Sequence, residues 1–471
     1  MNGFQLSRRH FLKTTAAASL TLLMENSCSA VSEEQPNILF FLTDDQRNDT
    51  LGCAGHPSIK TPCIDRLAED GVRFSNAFVT TPICAASRAT IFTGLFERTH
   101  KYTFSTPPLQ RNHLWESYPA LLRNSGYQTG FIGKFGVNVP PDLSVTPLLF
   151  DSFTKLNRNP YFHTMPDGSR RHETDLAADH VIGFLNNRKD NKPFCLSVSF
   201  NAAHAEDRDK FNQYPSPPSV RGMYEDVRIS EPKLSNPEIF NSLPEFLKKS
   251  LNRERYFWRW DTPEKYQKNM KSYLRMISGI DNAIGRVVEE LEKLHLDKNT
   301  VIIFMGDNGY FMGDRGFAGK WCHFDEALRV PLIIYDPRSK ITGHQSIVDQ
   351  LALNVDIAPT ILDLANIKIP HRYQGQSLLP LVNDTVPTSW RKDFFCEHLF
   401  DHPRIPKWEG VHGERYVYAR YFEQEPVFEF LHDLDRDPQE LSNYANDKEY
   451  QNVLRQMQKR CDQYKRKYVK V

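Results

Sequence analysis

The chain alternates short, fully apolar runs with longer stretches in which apolar and polar positions are mixed. Residues 38–42, Ile-Leu-Phe-Phe-Leu, are apolar without a break, which is typical of a strand buried on both faces of a parallel sheet. Similar runs predict further strands at 129–132, 194–200, 301–304 and 331–335. These runs together indicate a buried central sheet.

Helical patterns fill the stretches between the predicted strands. The longest covers residues 264–294, where apolar side chains recur every three or four positions. Shorter helices are predicted over 64–69 and 354–364. Strands that alternate with helices favour an α/β fold with a mostly parallel central sheet and helices on both faces.

The pattern changes after about Gly375. Residues 415–421 and 427–434 are typical of short antiparallel strands, and a charged helix is predicted over 447–468. The C-terminal part of the chain therefore predicts a small antiparallel sheet that is followed by a helix.

We accordingly divide the chain into three regions. Residues 1–35 are a leader and linker, residues 36–375 form a large α/β domain, and residues 376–471 form a smaller α+β subdomain. Within the large domain, residues 206–265 are rich in Pro, Arg and aromatic side chains. We predict that this stretch is an irregular insertion near the mouth of the ligand site.

The leader has the pattern of a twin-arginine export signal. Residues 7–13, Ser-Arg-Arg-His-Phe-Leu-Lys, precede a short, weakly apolar segment over 14–24. A membrane anchor and a disordered tail are the alternatives, but the segment is shorter than the roughly 18 residues that a spanning helix needs. We therefore predict export to the periplasm, or secretion, by the twin-arginine route.

The composition excludes some classes of partner. The chain has 471 residues and a formal net charge of +1, which gives no overall attraction to nucleic acid or to membranes. An anionic ligand must therefore be bound by a local basic site. The eight cysteines show no C-x-x-C spacing, so neither a zinc site nor a disulfide scaffold is predicted.

Two polar clusters follow two of the predicted strands. Asp44 and Asp45 come directly after the first strand, and Asp307 and Asn308 come shortly after the strand over 301–304. Each cluster alone would be a helix cap or a turn. Because the carboxyl ends of parallel strands meet at the ligand crevice of an open sheet, we expect the clusters to lie together. Their oxygen atoms are the ligands that Ca²⁺ or Mg²⁺ prefers.

A third candidate lies in residues 80–94, where a loop of small residues runs into a predicted helix. Cys84 stands near the start of this helix, where free backbone N–H groups and the helix dipole favour anions. A lone cysteine is more often an inert core residue. The surrounding sequence, Cys-Ala-Ala-Ser-Arg, is what makes Cys84 a candidate nucleophile.

The pattern Cys-x-Ala-Ser-Arg resembles the modification signature of the type I sulfatases, members of the alkaline phosphatase superfamily in which this cysteine is oxidised to formylglycine. The resemblance extends from about residue 36 to about residue 446. It includes the opening strand with its Asp pair, Gly-Lys at 133–134, Asn-Ala-Ala-His at 201–204, Gly-Asp-Asn-Gly at 306–309 and Gly-Lys-Trp at 319–321.

The resemblance implies a sulfuric ester hydrolase that removes sulfate from a sulfated carbohydrate. The ligands of one Ca²⁺, with Mg²⁺ as the alternative, would be Asp44, Asp45, the modified Cys84, Asp307 and Asn308. The residues around the sulfate would be Arg88, Lys134, His204 and Lys320. His204 would be the general acid for the leaving oxygen, and Lys320 is the alternative. A formylglycine-generating maturation enzyme would be a partner.

One position departs from the family pattern. The family usually has a histidine two residues after the lysine that corresponds to Lys134, and this chain has Gly136 there. Another group, or water, must take over the role of that histidine. His113 and His323 are both candidates.

Two other functions stay open from the sequence alone. A phosphodiesterase or phosphonate hydrolase on the same fold would bind a similar tetrahedral anion, and a non-catalytic glycan-binding homologue would account for the missing histidine. Basic and aromatic residues of the insertion would either contact an anionic sugar chain or form a solvated surface. They are Arg208, Arg221, Arg253, Arg255, Trp258 and Trp260.

Overall fold

The first apolar run forms a central strand of a buried sheet. The computed structural model describes residues 35–104, 106–189, 192–339 and 346–469. In it the run is part of strand Asn37–Thr43, all of whose residues are buried. A parallel strand pairs with each of its edges, which explains why the run is apolar at every position.

The central sheet contains eight strands within the described residues. In chain order they are β1 (Asn37–Thr43), β2 (Val72–Phe74), β3 (Gln128–Gly133), β4 (Ser152–Lys155), β5 (Phe194–Ser199), β6 (Thr300–Gly306), β7 (Leu332–Tyr335) and β8 (Ser346–Val348). Their order across the sheet is β8-β2-β7-β6-β1-β5-β3-β4. All pairings are parallel except those of β7, which runs antiparallel to β2 and β6. The predicted mostly parallel sheet is confirmed.

Helices cover both faces of this sheet. The longer ones in the described residues are α1 (Pro62–Glu69), α2 (Cys84–Thr93), α3 (Tyr118–Asn124), α4 (Glu173–Asn186), α5 (Leu251–Arg259), α6 (Pro263–Lys293), α7 (Ile357–Leu364) and α8 (Gln451–Val469). Leu39 and Phe41 of β1 pack into one core with α1, α4 and α6. Ile38 and Phe40 point to the other face and pack with α2, α3 and α7.

A second sheet follows near the C-terminus. Its four antiparallel strands are β9 (Asp393–His398), β10 (Trp408–Gly413), β11 (Tyr416–Tyr421) and β12 (Phe428–Asp433). Residues of this sheet, such as Phe395 and Val411, share a hydrophobic core with Ile38 of the central sheet. The predicted C-terminal antiparallel sheet is confirmed, although only its last two strands were predicted from the sequence. The boundary near residue 375 stays a prediction.

The insertion over 206–265 is more regular than predicted, because it contains α5 and the first turn of α6. The helix α5 has no apolar stripe, since two of its three buried residues, Asn252 and Arg259, are polar. The Asn252 side chain donates to the carbonyl of Lys320, and the Arg259 guanidinium donates to Gln213 and Tyr310. A periodicity search therefore misses it.

The predicted export signal lies outside the described residues. Among the helices that are described, none has the length and apolar character needed to cross a membrane. The seven cysteines of the described residues are all unpaired.

Candidate active site

The two polar clusters lie side by side at one end of the central sheet. Asp44 and Asp45 leave β1, Asp307 and Asn308 leave β6, and these strands are parallel and in register to their ends. The backbone N–H of Asp45 donates to Asp307 Oδ1 at 3.3 Å, and the Asn308 amide donates to Asp45 Oδ1 at 2.7 Å. All four side chains are buried. The structure thus brings together the four predicted oxygen ligands.

Cys84 is the first residue of α2 and points at the same cluster. Its sulfur and one carboxylate oxygen each of Asp44 and Asp307 all lie within 4.8 Å of one another. No side chain caps the start of α2, because the preceding residue is Ile83. The first N–H groups of the helix and its dipole are therefore directed towards any group that is bound beside Cys84.

Arg88 lies one helical turn after Cys84 and is completely buried. Its Nε donates to Asp307 Oδ2 at 2.8 Å, and a terminal nitrogen donates to the hydroxyl of Ser199 and to the carbonyl of Lys134. Its other terminal nitrogen has no hydrogen-bond partner among the described residues. Arg88 is thus held in one position, and this unpartnered nitrogen lies 3.9 Å from Asp44 Oδ2.

Two lysines complete the charge balance of the cluster. The ammonium of Lys134, which follows β3, contacts Asp44 Oδ2. The ammonium of Lys320 contacts Asp45 Oδ1 and lies 3.1 Å from Asn308 Oδ1. Burial alone would lower the pKa of Lys320, but Asp45 and the other acidic neighbours raise the pKa well above its ordinary value. Lys320 therefore carries a full positive charge.

His204 is the next residue of the cluster and lies close to Asp45. Its Nε2 is 3.5 Å from Asp45 Oδ2 and 3.4 Å from a terminal nitrogen of Arg158. Its Nδ1 is 2.8 Å from the carbonyl of Ala205, and because a carbonyl only accepts, Nδ1 carries the proton. Burial, with a smaller contribution from Arg158, lowers the pKa of His204 to about 4. Nε2 of the neutral ring therefore faces the cluster as an acceptor.

The cluster fits a divalent cation. Asp44 Oδ1 and Asp45 Oδ2 are buried and have no hydrogen-bond partner among the described residues, which is costly for a carboxylate unless another group binds there. Lys320 makes its hydrogen bonds to two other oxygens, Asp45 Oδ1 and Asn308 Oδ1, so it satisfies neither of the unpartnered ones. Burial raises the pKa of Asp44, but Lys134 and the other cations outweigh it, so the net pKa lies well below the ordinary value. Ionised, oxygen-only ligands of this kind suit Ca²⁺ or Mg²⁺.

The side chain of Arg88 lies against Gly136, the position at which the family usually has a histidine. Gly136 has a positive φ of 73°, and a Cβ atom added there would lie 2.6 Å from Cδ of Arg88. Neither candidate replacement lines the cleft: His113 contacts Arg372. His323 lies between Tyr421 (2.9 Å) and His432 (3.2 Å). The structure therefore does not bring either histidine to the site.

Cys84, Lys134, His204 and Lys320 line a cleft of about 1140 Å³, and together with the acidic cluster that they contact they form its floor. The cleft is also lined by basic side chains, among them Arg158, Arg208 and Arg255, which form its basic wall, and by aromatic ones, among them Phe104 and Phe400, whose ring centroids are 5.1 Å apart. Of the six insertion residues considered from the sequence, Arg208 and Arg255 line the cleft. The other four are not among its lining residues, and one of them, Trp260, is buried in the core.

Sequence reasoning missed three residues of this site. Arg158 lies in the loop after β4 and reaches His204, Asp207 follows the His204 segment, and Ser199 ends β5. Arg158 and Asp207 stand in irregular segments without a motif, so no local signal identifies them. Ser199 reads as one more residue of a buried strand, and only its contact with Arg88 gives it a role.

Comparison with known proteins agrees with this geometry. The family model described as Sulfatase matches residues 36–367, and the model described as N-sulphoglucosamine sulphohydrolase, C-terminal, matches residues 313–467. An N-acetylglucosamine-6-O-sulfatase of Bacteroides thetaiotaomicron is 28% identical over 97% of this chain and 91% of its own length.

Solved structures share the whole fold. One, determined in complex with its substrate D-glucosamine-2-N,6-O-disulfate, is 26% identical, has a TM-score of 0.77, and aligns over 92% of this chain and 98% of its own. A phosphonate monoester hydrolase from Silicibacter pomeroyi also has a TM-score of 0.77, with 21% identity over 92% of this chain and 96% of its own. At that identity the second match concerns the fold alone.

Proposed function

The chain belongs to the sulfatase family of the alkaline phosphatase superfamily and is a sulfuric ester hydrolase, and we propose that it removes sulfate from a sulfated carbohydrate through a formylglycine derived from Cys84. The observation that carries this proposal is the position of Cys84. It starts a helix, its sulfur faces Asp44 and Asp307, and Arg88 lies one turn later. A nucleophile placed there lies at the N-terminus of a helix, where free N–H groups and the helix dipole favour an anionic ester.

The proposed chemistry consists of the maturation of Cys84 and then a hydrolysis in two steps. In maturation the CH₂SH group of Cys84 and one water molecule give CHO and hydrogen sulfide, and the two electrons and two protons that are released pass to an oxidant that the maturation enzyme supplies. Water then adds to the aldehyde to give a geminal diol. One hydroxyl of the diol attacks sulfur, the S–O bond to the sugar breaks, and one proton moves from the attacking hydroxyl to the leaving oxygen. The second hydroxyl then reforms the aldehyde and expels hydrogen sulfate. One water molecule is consumed in each cycle.

The residues around Cys84 divide the work of this reaction. Arg88, Lys134 and Lys320 face the oxygens on which negative charge resides in the transition state, and all three are fixed by acidic partners before substrate binds. His204 is the group that we assign to protonate the leaving oxygen: its Nε2 lies beside Arg158 and Asp45, and it would take up a proton when the negative charge of the substrate favours the charged ring. The alternative for this role is Lys320.

Asp44, Asp45, Asp307 and Asn308 would hold one divalent cation, which we propose is Ca²⁺, with Mg²⁺ as the alternative. When bound, the cation lowers the pKa of the attacking hydroxyl and offsets charge on the sulfate. The two unpartnered carboxylate oxygens, Asp44 Oδ1 and Asp45 Oδ2, support this assignment. The ion would also relieve the repulsion among three buried carboxylates.

The substrate class is supported by the relatives, whose names refer to sulfated sugars. The cleft agrees with it, because its aromatic side chains suit the face of a sugar ring while its basic side chains suit the anionic groups of the sugar. The twin-arginine pattern supports export to the periplasm or the medium.

Mass spectrometry of position 84 tests the proposal directly. In protein made with a maturation enzyme, the peptide that contains residue 84 should weigh about 18 Da less than the cysteine form. Cys84→Ser should lower the rate of hydrolysis of 4-nitrophenyl sulfate by about three orders of magnitude or more, because a sulfated serine cannot expel sulfate through an aldehyde.

The matched control is Cys53→Ser, which changes a half-buried thiol outside the cleft and should keep the rate of the parent enzyme. Full activity in protein whose Cys84 carries an unmodified thiol would refute the formylglycine mechanism. Hydrolysis of a phosphonate monoester at a higher kcat/KM than any sulfate ester would instead favour the phosphonate hydrolase alternative.

A further inference from the structure

The charges that line the cleft are not balanced. Among the described lining residues the cations outnumber the carboxylates, since Asp207 is the only Asp or Glu against Lys134, Lys155, Arg158, Arg208, Arg255 and Lys320. Lys134 and Lys320 are neutralised by Asp44 and Asp45 at the floor. The remaining four cations belong to the wall, and they exceed what one scissile sulfate requires.

Two of these cations, Arg158 and Arg255, lie on either side of Asp207, and we call these three residues the bracket. A terminal nitrogen of Arg158 lies 3.7 Å from Asp207 Oδ2, and a terminal nitrogen of Arg255 lies 3.8 Å from the same oxygen. The other carboxylate oxygen of Asp207 accepts a hydrogen bond from the fully buried Arg259. One carboxylate thus faces three guanidinium groups, so the bracket keeps a net positive charge.

Arg255 is the member of the bracket that is free to bind a ligand. Its Nε is buried and has no hydrogen-bond partner among the described residues. Its guanidinium carbon lies 4.9 Å from the ring centroid of Trp321, so the cation is held beside an aromatic ring that also lines the cleft. Arg158, in contrast, already donates to the carbonyl of Ala205 and approaches His204.

We infer that Arg255 binds a second anionic group of the substrate, a sulfate or a carboxylate that is not hydrolysed. This inference rests on the proposed function, because it concerns the sugar carried by the scissile sulfate. The planar guanidinium matches the paired oxygens of either anion, and its existing partner, Asp207, is shared and more than hydrogen-bond distance away. Arg255 would therefore be a specificity-determining residue, and it lies in the insertion.

Binding to a Cys84→Ala background tests the inference without turnover. The probes are D-glucosamine-2-N,6-O-disulfate, N-acetylglucosamine-6-O-sulfate, and a disaccharide of a uronate with N-acetylglucosamine-6-O-sulfate, each titrated calorimetrically in the presence of Ca²⁺. The disulfate or the uronate probe should bind about tenfold or more tightly than the monosulfate, which corresponds to one charge-assisted contact. Arg255→Gln should remove most of that ratio.

The control is Lys249→Gln, which removes a positive charge from a side chain that is 79% exposed and outside the cleft lining. It should keep the ratio. Equal binding of all three probes, a ratio that survives Arg255→Gln, or no binding of any probe would each overturn the inference. If the disulfate alone gains from Arg255 the second anion is a sulfate, and if the uronate probe alone gains it is a carboxylate.

A parent enzyme that hydrolyses no sulfate ester would be a separate outcome. It would refute the proposed function, and the calorimetric ratio would still show whether the wall selects a second anion.

Discussion

The floor and the basic wall of the cleft are built in different ways. The floor residues stand where regular elements begin or end: Asp44 and Asp45 after β1, Cys84 at the start of α2, Asp307 after β6. The wall residues, among them Arg158 and Arg255, come from a loop and from the insertion. Strand ends are fixed by the packing of the whole sheet, whereas the wall side chains are held by individual contacts, such as those of Arg158 with His204 and of Arg255 with Trp321.

This difference assigns separate functions to the two regions. The floor is buried and its groups are paired with one another, so it can hold the same reactive geometry for any sulfate ester. The wall is partly exposed and carries unbalanced charge, so it can discriminate between sugars. A change at the floor should therefore affect every substrate, and a change at the wall only some of them.

Removal of the divalent cation should give the largest effect and should not depend on the substrate. Chelation with EGTA should lower the rate for both 4-nitrophenyl sulfate and a sugar sulfate by about 100-fold or more, because the transition state then loses its main counter-charge. Added Ca²⁺ should restore both rates. It should also raise the thermal midpoint, since a ligand at 100 times its Kd stabilises the folded state by about 2.7 kcal/mol.

A second acidic cluster provides the control for this experiment. Asp325, His412 and Glu440 also group within 4.8 Å, but Asp325 is hydrogen-bonded to His412 at 2.8 Å and Glu440 faces Arg315 at 3.8 Å. Asp307→Asn should abolish the Ca²⁺-dependent shift of the thermal midpoint, and Asp325→Asn should keep it. The reverse pattern would place the cation outside the floor of the cleft.

His204 connects the two regions, and its replacement should have an intermediate effect that depends on the leaving group. It contacts Asp45 of the floor and Arg158 of the wall. If it protonates the leaving oxygen, His204→Asn should slow a sugar sulfate by about 100-fold or more and 4-nitrophenyl sulfate much less, since nitrophenolate leaves without a proton. The measurement is kcat/KM for both esters.

Lys320→Gln is the comparison for this variant. Lys320 holds positive charge between Asp45 and Asn308, so its loss should slow both esters to a similar extent. If the leaving-group dependence appears in Lys320→Gln and not in His204→Asn, Lys320 is the general acid. Thermal midpoints of both variants show whether either one is misfolded.

The sequence predicted the floor much better than the wall, for a physical reason. The β1 and β6 runs are apolar because both faces of these strands are buried, and the side chains that follow them are brought together by strand pairing alone. Cys84 was identified from the short Cys-x-Ala-Ser-Arg motif, because its neighbours in the chain are enough to make it a candidate nucleophile. Strands β2, β4 and β8 were missed because they are short or lie near the sheet edge.

Arg158, Asp207 and Arg255 could not be predicted in the same way. Each depends on a contact with a residue far along the chain, such as Arg158 with His204 or Arg255 with Trp321. The helix that carries Arg255 buries polar side chains instead of an apolar stripe, so even its existence is hidden. Gly136 was noticed as a missing histidine, and its conformation became evident only from the structure.

Gly136 lines the cleft beside Arg88, and its replacement should have the smallest effect on activity of the changes considered. A Cβ atom at this position would meet Cδ of Arg88 at 2.6 Å, and φ is positive at 73°. Gly136→Ala should therefore destabilise the fold by about 1–3 kcal/mol, from left-handed strain and from overpacking against Arg88. Urea unfolding measures this change, and kcat/KM for 4-nitrophenyl sulfate reports any displacement of Arg88.

Gly168→Ala separates the two causes. Gly168 has a similar φ of 81°, but a Cβ atom there would meet nothing within 4 Å, so its replacement carries only the backbone strain of about 1 kcal/mol. The difference between the two variants is then the cost of moving Arg88, and only Gly136→Ala should lower kcat/KM. Equal destabilisation with unchanged kcat/KM would mean that Arg88 moves aside freely. In that case the glycine would reflect only the turn after β3, and a histidine side chain at residue 136 could be accommodated without disturbing the floor.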